Sequence, residues 1–148
     1  MYMAVLDKRF LTPPKETEWR MHMAQSINQK VDLVMNGVSF HGLDVYGKIM
    51  VGNKGFEFYN DNNVEDYIQI PWEEVDYIVA SVLRNGKKIP RFAIQTKSQG
   101  TYSFSAREPK KLLATIRNKQ YVPSDHIVRS LSFFQVLKKR VENAFSKA

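Results

Sequence analysis

The chain has no cysteine among its 148 residues. That excludes a disulfide framework and any thiolate metal site, and it makes a reducing cytoplasm the simplest expected compartment. No apolar run approaches the roughly 18 residues needed to span a bilayer. The longest, 77–83 (YIVASVL), has the length of a buried strand. The N-terminus carries mixed charges instead of a continuous apolar stretch, so no secretory signal is expected. Walker and Rossmann glycine loops, zinc-ligand spacings, an EF-hand loop and a Gly-x-Ser-x-Gly elbow are all missing. A non-enzymatic protein without metal or cofactor is the expectation.

What is present is enough apolar residue, 43% of the chain, to build one domain with a real core. The formal net charge of +7 is unevenly placed. Residues 1–106 hold 12 Lys+Arg and 12 Asp+Glu, whereas 107–148 hold 10 basic and 3 acidic residues. The basic excess belongs to the C-terminal part, where an acidic partner, an anionic membrane surface or nucleic acid would meet it. The plainer reading is a solvated helical face.

Residues 1–23 read as a flexible leader or an alternative-start extension. Pro13-Pro14 breaks any helix there, and Met3, Met21 and Met23 are further possible starts. Residues 24–106 read as a β-sheet core. Val31, Leu33 and Met35 alternate with polar residues, and Asn36-Gly37 predicts a two-residue hairpin turn before Val38, Phe40 and Leu43. Further strands are expected at 48–51, 56–60, 67–70, 75–83, 91–96 and 102–104. Turns are expected at 52–55, at Asn85-Gly86 and at Ser98-Gln99-Gly100.

The period then changes from two to about 3.6. Glu108-Pro109 suits a helix start, and Leu112, Leu113 and Ile116 give its apolar stripe as far as Gln120. Val122-Pro123 stops it. Ser124 or Asp125 is expected to cap a second, amphipathic helix running to about Phe145, with Ile127, Leu131, Phe134, Leu137 and Val141 on one face. Residues 107–148 are thus expected to be basic helices packed on the core. The fold class is mainly β with C-terminal helices (α+β). The order resembles a pleckstrin-homology-like (PH/GRAM-like) bent sheet or partly open barrel of about seven antiparallel strands capped by a helix.

Several long phrases carry a more specific resemblance. They are Lys30-Val31-Asp32-Leu33, Tyr46-Gly47-Lys48-Ile49-Met50, Lys54-Gly55-Phe56-Glu57-Phe58-Tyr59-Asn60, Ile70-Pro71-Trp72-Glu73-Glu74-Val75 and Pro90-Arg91-Phe92-Ala93-Ile94. Glu108-Pro109-Lys110-Lys111 and the stretch from Val122-Pro123-Ser124-Asp125-His126 to Phe133-Phe134 continue the series. In order, from about residue 23 to 145, they resemble the ManO-type family, a domain-of-unknown-function family of Gram-positive bacteria. Its genes commonly sit in mannose-class phosphotransferase operons. The resemblance implies an accessory or regulatory role, with a protein of that phosphotransferase system as partner, in the cytoplasm or peripherally at the inner membrane face. It implies no catalytic residues. A transcriptional regulator holding operator DNA through the basic tail is the alternative, and a PH-like binder of anionic membrane a weaker one. A homodimer through the sheet edge or last helix is open to either.

The candidate partner surface comprises Lys87, Lys88 and Arg91 around the Asn85-Gly86 hairpin, then Arg129, Phe133, Lys138, Lys139 and Arg140. Clustered cations attract phosphates and carboxylates, and a desolvated aromatic anchors an interface. The plainer readings are edge-strand protection for the lysines and intramolecular core for the phenylalanines. His126, placed in the first turn of the expected last helix, is a weak phosphoacceptor candidate, since imidazole is nucleophilic near neutral pH. The plainer reading is a polar helix start. Glu73 and Glu74, read as strand neighbours, would face opposite sides and form no acid/base pair.

Overall fold

The computed structural model describes residues 25–130. Strands β1 (Val31–Ser39), β2 (Val45–Gly52), β3 (Gly55–Asn60) and β4 (Tyr67–Pro71) form one antiparallel meander. A 3-10 turn, Trp72–Glu74, leads into a second meander of β5 (Val75–Leu83), β6 (Lys88–Thr96) and β7 (Thr101–Ala106). Helix α1 (Pro109–Asn118), a 3-10 turn at Ser124–His126 and strand β8 (Ile127–Arg129) follow. The strand order is β4-β3-β2-β1-β7-β6-β5-β8. The described residues are therefore mainly β, an open eight-stranded sheet with one helix.

Alternation sends Ile49, Val51, Phe56, Phe58, Phe92 and Phe104 to one face, where they form the core. The Phe56 and Phe104 rings lie 4.8 Å apart, tilted at 53°. Helix α1 covers this face with Leu112, Leu113 and Ile116, all buried. Burying each contributes about 2 kcal/mol. The helix ends with Gln120 at φ 58, while Tyr121 N–H donates to the Ile116 carbonyl and Gln120 N–H to that of Arg117. That Schellman arrangement satisfies two terminal carbonyls and throws Tyr121 back over the core. Its ring stacks on Trp72 at 5.2 Å, and its hydroxyl bonds Asp32. Trp72 packs structurally, its indole N–H donating to the Gly52 carbonyl at 2.8 Å.

Three expectations are corrected. Asn36-Gly37 does not turn the chain: both lie inside β1, which pairs with β2 and, at Gly37, Val38 and Ser39, with β7. A Cβ on Gly37 would stand 2.3 Å from Ile49 Cδ1 and 2.8 Å from the Ser105 carbonyl oxygen. Glycine is needed there because two strands close in, not because φ is positive. Nor does a second helix begin at Ser124 or Asp125. Ile127-Val128-Arg129 instead pair in parallel with the edge of β5, Ile78 opposite Ile127. β-Branched residues suit that site, and β5's open backbone groups gain partners. This makes an eighth, parallel strand where about seven antiparallel ones are expected; the rest of the expected helix, 131–145, lies outside the described residues, as does the 1–23 leader. Finally, Glu73 and Glu74 sit in the 3-10 turn, not on a strand.

The opposite face of β3 is also buried. Glu57 has no exposed surface, and five donors converge on its carboxylate. Oε1 accepts from Ile27 N–H (3.0 Å), the Tyr59 hydroxyl (2.7 Å) and the Gln69 amide (3.0 Å). Oε2 accepts from the Ser26 hydroxyl (2.6 Å) and the Asn28 amide (2.7 Å). Asn28 Oδ1 in turn accepts from Lys54 and Gly55 N–H, so residues 25–30 are strapped across β3. Burial, with Glu57 beside it, pushes the Tyr59 phenol up.

Three predictions follow from this packing. Gly37→Ala should destabilise the protein by about 2 kcal/mol, the scale of overpacking, measured by urea denaturation. Glu57→Gln, which points an amide donor at donors, should cost about 3 kcal/mol with the fold retained by circular dichroism. Burial first, and then the bond to Asp32, raise the Tyr121 phenol from 10.0 to about 12. The fold thus favours the neutral phenol; that stability is complete below pH 10 and is lost as pH climbs toward about 12. Urea midpoints should fall across this window, and Tyr121→Phe should make the fall shallower.

Candidate functional site

The most distinctive surface lies where the β5–β6 hairpin meets the start of α1. Arg84, Asn85 and Gly86 have φ of 54, 56 and 88°, so three successive left-handed residues reverse the chain. Lys87 and Lys88 emerge from this turn beside Arg107, Lys110 and Lys111, and the five line a cleft of about 540 Å3. All five are exposed. Glu108 is the single carboxylate in the lining. The described ion pairs join Lys48 to Asp61 and Lys119 to Asp32; none among the described residues reaches the five cations.

Local electrostatics work against this cluster. A helix N-terminus favours anions, yet the first turn of α1 has no acidic residue and holds Lys110 and Lys111. Glu108 occupies the N-cap position without a side-chain capping bond. Each misplaced charge costs a few tenths of a kcal/mol, about 0.3–1 at most. An anionic group in the cleft would reverse the sign of that term.

A second cleft, of about 500 Å3, adjoins the first between β5, α1 and β8. One face of α1 supplies Lys110, Leu113, Ala114 and Arg117, at spacings of three, four and seven residues. Ala80, Val82, Ile89 and Val128 add apolar wall, and Arg129 adds a cation. Arg129 stands in register with Ala80 across the parallel β5–β8 pair. Lys110 and Ile89 border both clefts. A third, smaller pocket of about 250 Å3 is lined from β1, β2, β3, β4 and β7, with His41, Asp66 and Tyr102 in its lining. His41 and Tyr102 have ring centroids 4.9 Å apart.

Of the sequence-derived candidates, Lys87 and Lys88 share the first cleft and Arg129 lines the second. Arg91 is set apart: its guanidinium lies 4.0 Å from the Phe40 ring centre, outside both linings. Phe133, Lys138, Lys139 and Arg140 lie outside the described residues. His126 is in a 3-10 turn and not in an α-helix. Its Nδ1 is 2.6 Å from the Asp76 carbonyl oxygen, and its ring stacks on Tyr77 at 4.4 Å. A carbonyl only accepts, so Nδ1 is the donor in this contact. This is a packed, half-buried histidine with one anchored nitrogen.

Sequence reading missed Arg107, Lys110, Lys111 and Arg117. A signal existed: two lysines just after Glu108-Pro109 contradict the dipole rule for a helix start, and Lys110 and Arg117 bracket Leu113 and Ala114 on one helical face. Among the described residues no group of three or more histidine or acidic side chains is placed to hold a metal. No helix among them is long and apolar enough to cross a membrane.

Among solved structures, the chain is similar to the C-terminal domain of an unknown protein from Leishmania infantum, with a TM-score of 0.54 and 10% identity. The match covers 64% of this chain and 85% of that one, and it speaks for the fold alone. No curated protein matches. The model of the family described as "Domain of unknown function (DUF956)" matches residues 23–141, which span both meanders, α1, β8 and both basic clefts, and the chain belongs to that family.

Proposed function

We propose that this protein is a non-enzymatic accessory or regulatory component of the mannose-class sugar phosphotransferase system, acting in the cytoplasm by binding another protein. The observation that carries the reading is the cleft of five cations between the β5–β6 hairpin and α1, with no ion pair to them among the described residues. An acidic protein surface docked there relieves the repulsion among the lysines and the opposition of the α1 dipole together. The ManO-type resemblance supplies the system in which the partner is sought. The fold is read as PH-like. Seven antiparallel strands with β1 beside β7, followed at once by a helix, support that frame. In such a frame the sheet is scaffold and the hairpins and helix edges do the binding.

Charges on an interface rim act mainly on association rate and salt dependence, which gives the reading a clear signature. The full chain, tagged and purified from cells grown on mannose, should retain a phosphotransferase component at low salt and lose it progressively as salt rises. The triple variant Lys87→Glu, Lys88→Glu, Lys111→Glu should reduce recovery roughly tenfold or more, about 1.4 kcal/mol per decade, with unchanged melting temperature. Recovery of no such component sinks the proposal. Salt-dependent gel shift of the operon promoter in its place would assign the cations to operator DNA, and sedimentation with phosphatidylglycerol vesicles would assign them to a membrane surface.

A further inference from the structure

We infer that the cleft between α1, β5 and β8 is a binding site for a small amphipathic anion, a single apolar chain carrying a carboxylate or phosphate head. The inference concerns a different cleft from the protein-binding surface and does not rest on it. Its walls join two properties that serve separate ends elsewhere in the molecule. Ala80, Val82, Leu113 and Val128 give an apolar lining that no described side chain fills. Lys110, Arg117 and Arg129 give three cations, and no carboxylate stands among the described lining residues.

The two arginines decide the ligand's charge. Guanidinium groups stay protonated and cannot neutralise themselves beside an apolar wall. They come from different elements, α1 and β8, so their sharing of one cleft is a product of the fold and not of sequence neighbours. The Arg129 head lies against Gly86, 3.6 Å from where a Cβ would stand, at the hairpin end of the cleft. Planar, forked donors of this kind suit a carboxylate or phosphate. The apolar lining decides the rest of the ligand. Lys110 and Arg117 are seven residues apart, roughly 10 Å along the helix axis, with Leu113 and Ala114 between them. A free inorganic anion would leave that stretch uncovered, and a neutral hydrocarbon would leave the cations unpaired. The volume of about 500 Å3 lies inside the usual range for small-ligand sites.

Isothermal titration of the full chain with decanoate, below its micelle threshold, tests this. Saturable binding of one equivalent is expected. Acetate, which has the head alone, and decanol, which has the chain alone, should each bind at least roughly tenfold more weakly. The double variant Arg117→Gln, Arg129→Gln should weaken decanoate about tenfold, and Ala114→Phe, which fills the cleft without touching charge, should abolish it. The Lys87, Lys88 and Lys111 triple variant should bind decanoate as the parent does, so this result stands or falls apart from the protein-partner reading. No saturation, equal affinity for decanol, indifference to both cleft variants, or binding to phosphatidylglycerol vesicles without binding free decanoate overturns the inference.

Discussion

Three residue pairs, Gly37 with Ala106, Val38 with Ser105 and Ser39 with Phe104, join the two meanders into one sheet. The rest of the molecule is placed by that junction. Because β7 ends against β1, α1 starts after only two intervening residues, over the core and not beyond its edge. Because β6 and β5 follow outward from β7, the β5–β6 hairpin comes to lie beside the first turn of α1, and β5 is left with a free edge for β8. The close approach allowed by Gly37 thus fixes where both clefts form, though Gly37 lines neither.

The molecule treats its buried and its exposed charge very differently. Glu57, buried within the strap of residues 25–30, has a donor for each available direction, and no buried side-chain polar atom among the described residues lacks a partner. Such complete satisfaction is what a low-dielectric interior demands. Around α1 the opposite holds, with lysines set against the dipole and against one another. Described residues that satisfy every buried side-chain polar atom yet leave this surface in electrostatic conflict carry the conflict where a second molecule can resolve it.

Legibility in the sequence followed the range of the interactions. The turns at 52–55, 85–86 and 98–100 were readable because their chemistry is local, and so was α1, from its stripe and Pro109. Asn36-Gly37 misled because glycine answers two different needs, positive φ and a missing side chain, and sequence alone does not tell them apart. β8 was hidden for another reason. Three residues, Ile127-Val128-Arg129, fit a helical stripe as well as a strand, and the edge of β5 that selects the strand exists only after folding. The excess charge of the C-terminal part was countable, but its meeting with Lys87 and Lys88 was not, since that contact depends on the β1–β7 junction. Arg91 shows the converse: close to Lys88 in sequence, it is drawn off to Phe40 because alternate residues of β6 face opposite ways.

The connectivity also sets a folding order. Within each meander every strand pairs with its immediate successor, so both halves form from contacts of short sequence separation. The β1–β7 seam, the β5–β8 pair and the Tyr121–Asp32 bond, whose residues are 89 apart in sequence, are closures that carry the loop entropy. A late seam makes Gly37 a determinant of lifetime more than of assembly: strain there shows chiefly as faster unfolding, with the refolding rate almost untouched.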